Sequence, residues 1–404
     1  MMPLDQALAT YTRELRALAP RTLPLEQALG HVLAAAVESR VDLPLFTQSA
    51  VDGYAVRSAD LAGASADRPV TLELAGEIAA GSSAQHELTA GRTFRIFTGG
   101  ALPAGADASA RQEIVERSGN RIVLRRALAA GADTRFRGEE LKAGEVLAQP
   151  GQRLGSGLIA ALAMAGVSAV PVHPRPRVAL LVSGDEVASS GSELRAGEIH
   201  DANGPLVRAW LAERGYPLVW ARQLRDDRAG LRAALAEALA CADAVITTGG
   251  VSVGDHDHLP RAAADAGVRE LYWKVAQKPG KPIWFGTGIA GQPVLSLPGN
   301  PAAVLIGLHL HVSSALRALE GSTQVEPSWR KARLARAVKR DEQRDQLLRV
   351  CMACGNDGST TLTPLGRQDS HMLSNLGSAD GMAWIRRGTG QLEAGDVVEW
   401  LALG

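Results

Sequence analysis

Aromatic side chains are scarce in this sequence. Seven Trp, four Tyr and five Phe make up 4% of its 404 residues, so its cores must be built mainly from Leu, Val, Ile and Ala. Cysteine is scarcer still, with three residues, Cys241, Cys351 and Cys354. That is too few for a disulfide framework in a chain of this length. Cys351 and Cys354 form a single C-x-x-C pair inside a strand-like run, and a structural zinc site would need distant ligands to complete it. An excess of one charge is also missing. The 43 basic and 43 acidic residues balance, which argues against the broad electrostatic footprint of a nucleic-acid binder but leaves room for a local anion pocket. The longest apolar run, LIAALAMAGVSAVPV near 158–172, is too short to span a bilayer and contains Ser and Pro. The opening MMPLDQALATYTRELRAL carries early acids and lacks the apolar core of a secretion signal. The expectation is a soluble, cytoplasmic protein with neither a membrane nor a nucleic acid as partner.

What is present is ample apolar material, 46% of the chain, in a length that suits two to four domains. Residues 4–19 place Leu4, Ala7, Leu8, Tyr11, Leu15 and Leu18 at helical spacing, with Pro20 as the stop. A second helical or mixed segment is expected over 25–37. A turn-rich stretch follows over 42–56, punctuated by Pro44 and the Asp52-Gly53 pair. Short β-like runs alternate with Gly, Ser and Asp over 57–135, as in a small β domain. A helix over 153–166 ends at Gly166. From 177 the pattern becomes strand, helix, strand: VALLVS, PLVRAWLAERG, LVWARQL, LRAALAEALA, AVITTGG, a helix near 259–267, ELYWKVA, VLSLPG and a helix over 301–319. Short connections in this alternation predict a doubly wound α/β sheet whose strands end on one edge. After Gly321 five short β-like runs predict a small barrel or sandwich.

The chemistry-bearing residues cluster where those strands end. In TTGGVSVGDHDH, Gly249, Gly250 and Gly254 let backbone approach a ligand, and the loop's NH groups suit an anion. Ser252 adds a hydroxyl, and Asp255 and Asp257 could hold a divalent cation beside phosphate oxygens. The interleaved His256 and His258 are incidental on this reading, because alternating positions supply only part of a zinc site. LVSGDEV offers Ser183, Gly184 and Glu186, although acids at a helix start would have the same look. Asp201 and Asn203 in GEIHDANGPLV are equally plausible as helix caps or as ligand contacts. In WKVAQKPGKP an extended strand would point Lys274 and Lys278 to one face, with Lys281 after a Pro-Gly turn. Three lysines near one glycine suit a polyanion, though lysines are usually exposed. LSLPGNPAAV brings Pro298, Gly299, Asn300 and Pro301 to another strand-to-helix joint. Asp52-Gly53 suggests a turn presenting a carboxylate. No one loop is decisive. Together they point to a nucleotide- or phosphate-ester-binding site with a divalent metal.

The order SAVDGYAVR, FTGGALPAGADA, FRGEELKAGE, SGDEV, DANG, TTGGVSVGDHD, KPGKP and LPGNP resembles the MoeA-type molybdopterin molybdenumtransferases and the E domain of gephyrin, over roughly residues 5–404. It departs from the family pattern at Val51, Glu140 and Asp369, where Met, Asp and Gly are usual. The resemblance implies a doubly wound MogA-like α/β domain over 175–321, a β-rich insert domain over 45–144, an elongated linking domain from 1–44 with 145–174, and a C-terminal β-barrel domain over 322–404. It implies insertion of molybdenum into adenylylated molybdopterin, with molybdate and Mg2+ consumed or required and AMP and molybdenum cofactor released. Asp52, Glu186, Asp226, Asp257, Lys274 and Lys278 fall on catalytic positions. Thr98, Arg135, Glu140, Pro298, Pro301 and Ser370 fall on substrate-binding ones. Asp255, Asp257 and Glu186 are the expected Mg2+ ligands. Further implications are a homodimer whose cleft lies between the α/β domain of one subunit and the β-rich domain of the other, and partnership with a molybdopterin adenylyltransferase and molybdoenzyme-maturation proteins. A molybdopterin adenylyltransferase and a non-enzymatic scaffold of the gephyrin kind stand as the alternative functions. The first needs only the α/β domain.

Overall fold

The computed structural model describes residues 1–82, 86–250 and 258–403. Its central unit is a six-stranded sheet in the order Leu218–Leu224, Val178–Ser183, Ala244–Thr248, Pro293–Leu297, Trp284–Thr287, Arg269–Trp273. Five of these strands run in one direction, and Trp284–Thr287 runs antiparallel to both its neighbours. The antiparallel strand Trp284–Thr287 is not anticipated from sequence, so the sheet is mixed rather than wholly parallel. Strand Val178–Ser183 shows why both faces must be covered. Its Val178, Leu180 and Val182 enter one core, and its Ala179 and Leu181 enter another on the opposite face. Helices Arg228–Cys241 and Leu259–Asp265 cover the second face, and helices Asn203–Glu213 and Pro301–Gly307 cover the first. The predicted helix over 301–319 is present as two α-helical pieces joined by a π-helical turn, Leu308–Val312. This stretch is long and apolar enough to cross a membrane by composition, but 83% of its most apolar window is buried inside the protein.

The first helix, Leu4–Glu14, packs away from the rest of the expected linking segment. Leu4, Ala7, Leu8 and Tyr11 are buried in the first core of the α/β domain, against Phe285, Leu310 and Leu319 among others. Amphipathic spacing shows that a helix has a core face; it does not say which core will take it. The expected linking domain has a core of its own beyond this helix. Its core joins Leu25, Leu33, Val37 and Leu43 to Leu154, Leu162, Val170 and Val172. The segment over 25–37, expected to be helical or mixed, is mixed: a 3-10 turn, Leu25–Gln27, and two short strands, Val32–Leu33 and Val37–Glu38. An ion pair fastens this domain to the α/β unit: Arg153 donates to Glu320 at 2.5 Å, and Tyr216 donates to the same carboxylate at 3.1 Å. Glu320 is buried, so losing one partner would leave a charge uncompensated.

The β-rich insert is a six-stranded sheet in the order Ala108–Arg111, Gly53–Val56, Arg92–Ile96, Val70–Ile78, Arg121–Leu124, Val115–Ser118. Gly53 starts a buried strand and does not sit in the turn suggested by Asp52-Gly53. A Cβ there would lie 2.0 Å from the Ala110 carbonyl oxygen, so close strand approach, not turn geometry, requires the glycine. In the C-terminal domain, strands Arg330–Leu334, Asp345–Cys354, Thr360–Pro364, Gly381–Ile385 and Val397–Ala402 close into a barrel. Closure comes from the pairing of Asp345–Cys354 with Gly381–Ile385. The short strand Gln277–Lys278 of the α/β domain pairs in parallel with Asp345 and Gln346, welding the two domains.

Candidate active site

Parallel register fixes where the functional loops emerge. Ser183 stands opposite Leu224, Val182 opposite Thr248, and Thr248 opposite Leu297. The loops after these strands therefore meet at one edge, the crevice that open α/β sheets use for ligands. A cavity of about 620 Å³ lies there, lined by Ser183, Gly184, Glu186, Asp201, Asn203, Asp226, Gly249, Gly250, Pro298, Gly299, Asn300 and Pro301, among others. All of these were singled out from sequence. Ser252, Gly254, Asp255 and Asp257 lie outside the described residues.

Backbone geometry explains the glycines. Gly249 has φ +87°, and a Cβ on it would sit 2.1 Å from the Ser183 carbonyl oxygen. Gly250 has φ +66° and approaches the Ser183 hydroxyl. Two loops can share this edge only because neither side chain exists. Asp201 is a helix cap: its Oδ1 accepts from the backbone NH of Asn203 and of Gly204, each at 2.9 Å. Asn203 does something else. It donates to the Gly299 carbonyl at 2.8 Å and ties the helix to the 298–301 loop.

The cavity floor is electrostatically unsettled. Ser183 Oγ, Asn203 Oδ1 and Asp226 Oδ1 are buried without a hydrogen-bond partner among the described residues. Unpaired buried polar atoms are costly unless a ligand completes them. Burial pushes the Asp226 carboxyl's pKa above the usual range. Asp185 and Glu186 push it further, and the nearby Ser183 hydroxyl and His258 offset part of the shift. Among the described residues no cluster of three or more His, Cys, Asp or Glu is arranged to hold a metal alone. The unpaired donors are nonetheless hard oxygens, the kind that Mg2+ prefers.

A second cavity of about 300 Å³ adjoins the first, sharing Pro282, Pro298, Asn300 and His371. Lys278, Lys281, Arg344 and Ser370 line it, with Gln277, Gln368 and Asp369. Asn300 donates to the Ser370 hydroxyl at 2.7 Å, bridging the α/β domain and the barrel. Lys274 is not on either wall. The extended strand ends at Trp273, Lys274 has φ +70°, and its ammonium lies 4.6 Å from the Trp273 ring centre. The predicted shared face of Lys274 and Lys278 thus fails because the chain turns between them. Arg344 and His371 escaped the sequence reading. Only the neighbouring Ser370 gave a hint of the latter.

The remaining singled-out residues lie in the N-terminal half. Asp52 accepts hydrogen bonds from both the backbone NH and the hydroxyl of Thr98, each at 2.8 Å. These bonds, the backbone one first, hold its carboxyl below the usual carboxylate range. Arg135 and Glu140 line another cavity, of about 400 Å³, beside Phe46 and Met164. None of these four residues lines the two joined cavities.

Family models match in sequence order. One for the MoeA N-terminal region (domain I and II) covers residues 2–166, one for a probable molybdopterin-binding domain covers 179–318, and one for the MoeA C-terminal region (domain IV) covers 331–403. The molybdopterin molybdenumtransferase of Staphylococcus epidermidis is 33% identical over 375 residues, 93% of this chain and 89% of the relative. That of Staphylococcus aureus is 30% identical over 398 residues, 98% and 94% of the two chains. The crystal structure of the molybdopterin biosynthesis MoeA protein from Pyrococcus horikoshii OT3 superposes with a TM-score of 0.84 over 99% of each chain, at 27% identity. Fold and cleft together define a multidomain transferase of cofactor biosynthesis, built around a molybdopterin-binding α/β domain. The chain belongs to the molybdopterin molybdenumtransferase family.

Proposed function

We propose that this protein inserts molybdenum into adenylylated molybdopterin, cleaving the phosphoanhydride and releasing AMP and molybdenum cofactor, with molybdate as the metal donor. The observation that carries this reading is the pairing of two unlike cavities: one walled by glycine loops and carboxylates, the other by Lys278, Lys281 and Arg344, with Asn300 between them. A diphosphate with its cation suits the first. A tetrahedral oxyanion suits the second, where cationic side chains and the Ser370 hydroxyl offer charge-assisted hydrogen bonds.

Mg2+ is assigned to the first cavity, with Glu186, Asp226 and the sequence-assigned Asp255 and Asp257 as its holders. It would neutralise diphosphate charge and polarise the scissile bond. Gly184, Gly249, Gly250 and Gly299 leave room for the backbone to approach the ligand. Lys278 and Lys281, on the adjoining cavity, hold the oxyanion by charge-assisted hydrogen bonds. Lys274, off the cavity walls, has no part in this scheme. The two thiolates that receive the metal belong to the substrate, so the protein needs no cysteine at the site.

The working unit is taken to be a cytoplasmic homodimer in which a second copy brings Asp52, Thr98, Arg135 and Glu140 to the cleft. Their absence from the joined cavities of their own subunit supports this. A molybdopterin adenylyltransferase would supply the substrate, and molybdoenzyme-maturation proteins would receive the product. The test is AMP release from adenylylated molybdopterin with and without Mg2+, comparing molybdate with tungstate. No AMP release with either oxyanion, or ATP consumption in its place, would discard the reading.

A further inference from the structure

Gln277 is completely buried at the back of the smaller cavity, immediately before the turn that carries Lys278 and Lys281. Its amide can be oriented by logic alone. The Pro279 carbonyl, 3.1 Å away, can only accept, so the Gln277 NH2 group must face it. The amide oxygen then faces His311 Nε2 at 2.9 Å, and that nitrogen must carry a proton. His311 Nδ1 is left as an acceptor within reach of the hydroxyls of Tyr11, at 2.9 Å, and Tyr272, at 3.2 Å. One hydroxyl donates to it and the other donates to the first hydroxyl's oxygen, which uses both protons. Burial drives the His311 pKa down to about 3, which keeps the ring in the neutral form this chain of bonds requires.

These groups come from separate elements. Tyr11 is on the first helix, Tyr272 on the sheet's edge strand, and His311 in the π-helical turn. Such turns often occur at functional sites. Packing of a core would be served as well by Leu or Met, and buried polar chains are justified only when every member is satisfied. This one is satisfied, and it ends on a carbonyl between two lysines. Gly280, at φ +95°, lies so close that a Cβ would meet Gln277 Nε2 at 2.5 Å.

We propose that Gln277 is a positioning residue for oxyanion capture: oriented from behind by His311, Tyr11 and Tyr272, its amide fixes the Lys278–Lys281 turn against the smaller cavity. This rests on the reading that the smaller cavity takes the oxyanion.

The test uses full-length protein carrying Gln277→Met, with Lys281→Ala as control. Amide hydrogen exchange across 277–285 and calorimetric titration with molybdate are measured, alongside AMP binding at the larger cavity. For Gln277→Met the turn's amides should exchange faster and molybdate affinity should fall about tenfold, the scale of one lost hydrogen bond. AMP affinity should stay within about twofold on the same scale, which a general loosening of the fold would not allow. Unchanged exchange overturns the proposal. Faster exchange with unchanged molybdate affinity overturns it as well. If Lys281→Ala binds molybdate like wild type, the oxyanion reading itself is what fails, and the positioning role goes with it. Should Gln277→Met not fold, Tyr11→Phe removes only the far hydroxyl. It should shift exchange and affinity in the same direction by about twofold to threefold, and no shift in either overturns the proposal.

Discussion

The cleft between the α/β domain and the barrel differs from the Asp52 region in how its polar groups are settled. In the cleft, Ser183, Asn203 and Asp226 each keep a buried oxygen without a partner among the described residues, and burial biases Asp226 toward its neutral form. At Asp52 the exposed carboxylate already receives two hydrogen bonds from Thr98 and is biased toward its charged form. The first arrangement is incomplete without a ligand. The second is complete without one and needs only to be carried to its target. A site assembled from both would draw its unmet valence from one half and a ready charge from the other.

The sharpest way to break this comparison is to remove the unsettled carboxylate. Asp226→Ala should lower Mg2+-dependent AMP release by about 10²-fold, the scale on which electrostatic stabilisation of a transition state is lost. Asp52→Ala is expected to act less severely, because Thr98 would still offer its donors there. Mixing the two impaired proteins provides a finer cut. If the halves belong to different subunits, random re-pairing makes about half of the dimers mixed, each with one intact site of two, and about a quarter of wild-type activity returns. No recovery would mean that both halves serve the same subunit's site.

Smaller effects separate stability from function. Gly53→Ala forces a Cβ toward the Ala110 carbonyl and should destabilise the insert by about 1–3 kcal/mol. A lower melting transition for the insert, with the barrel unaffected, is the expected calorimetric result. The smallest change is Thr98→Val, which removes the hydroxyl donor and should move the Asp52 pKa upward toward its ordinary value, as read by carboxyl NMR titration. The sign follows from linkage. A depressed folded-state pKa stabilises the protein above the unfolded value, and that stability is lost as pH falls through the folded one. Thr98→Val should therefore weaken the acid-side dependence that wild type shows.

Much of the cleft was legible because parallel strands advertise themselves. VALLVS, AVITT and VLSL are short apolar runs with a glycine one or two residues beyond each, and a strand covered on both faces reads that way. Once three such strands are placed in one sheet, Gly184, Gly249 and Gly299 must fall on one edge. What was not legible depends on distant partners. Gly53 looks like half of a turn until Ala110 is known to lie against it. Lys274 looks like part of a strand until its positive φ is seen. Trp284–Thr287 is four residues long and follows a Pro-Gly turn, too short for alternation to register. Arg344 belongs to no motif and His371 shows only through its neighbour Ser370; the barrel's attachment to the α/β domain brings both to the cavity.

Because Leu4, Leu8 and Tyr11 are seated among Val178, Phe285 and Leu319, the chain's earliest helix has no home while residues 16–177 are being made. At 5–20 residues per second that wait is on the order of ten seconds or more on the ribosome. During it an apolar helical face stands uncovered while the insert's sheet, made entirely from the intervening stretch, can already form. Slow or interrupted synthesis should thus expose this protein to aggregation or chaperone capture through its first turns rather than through its catalytic loops.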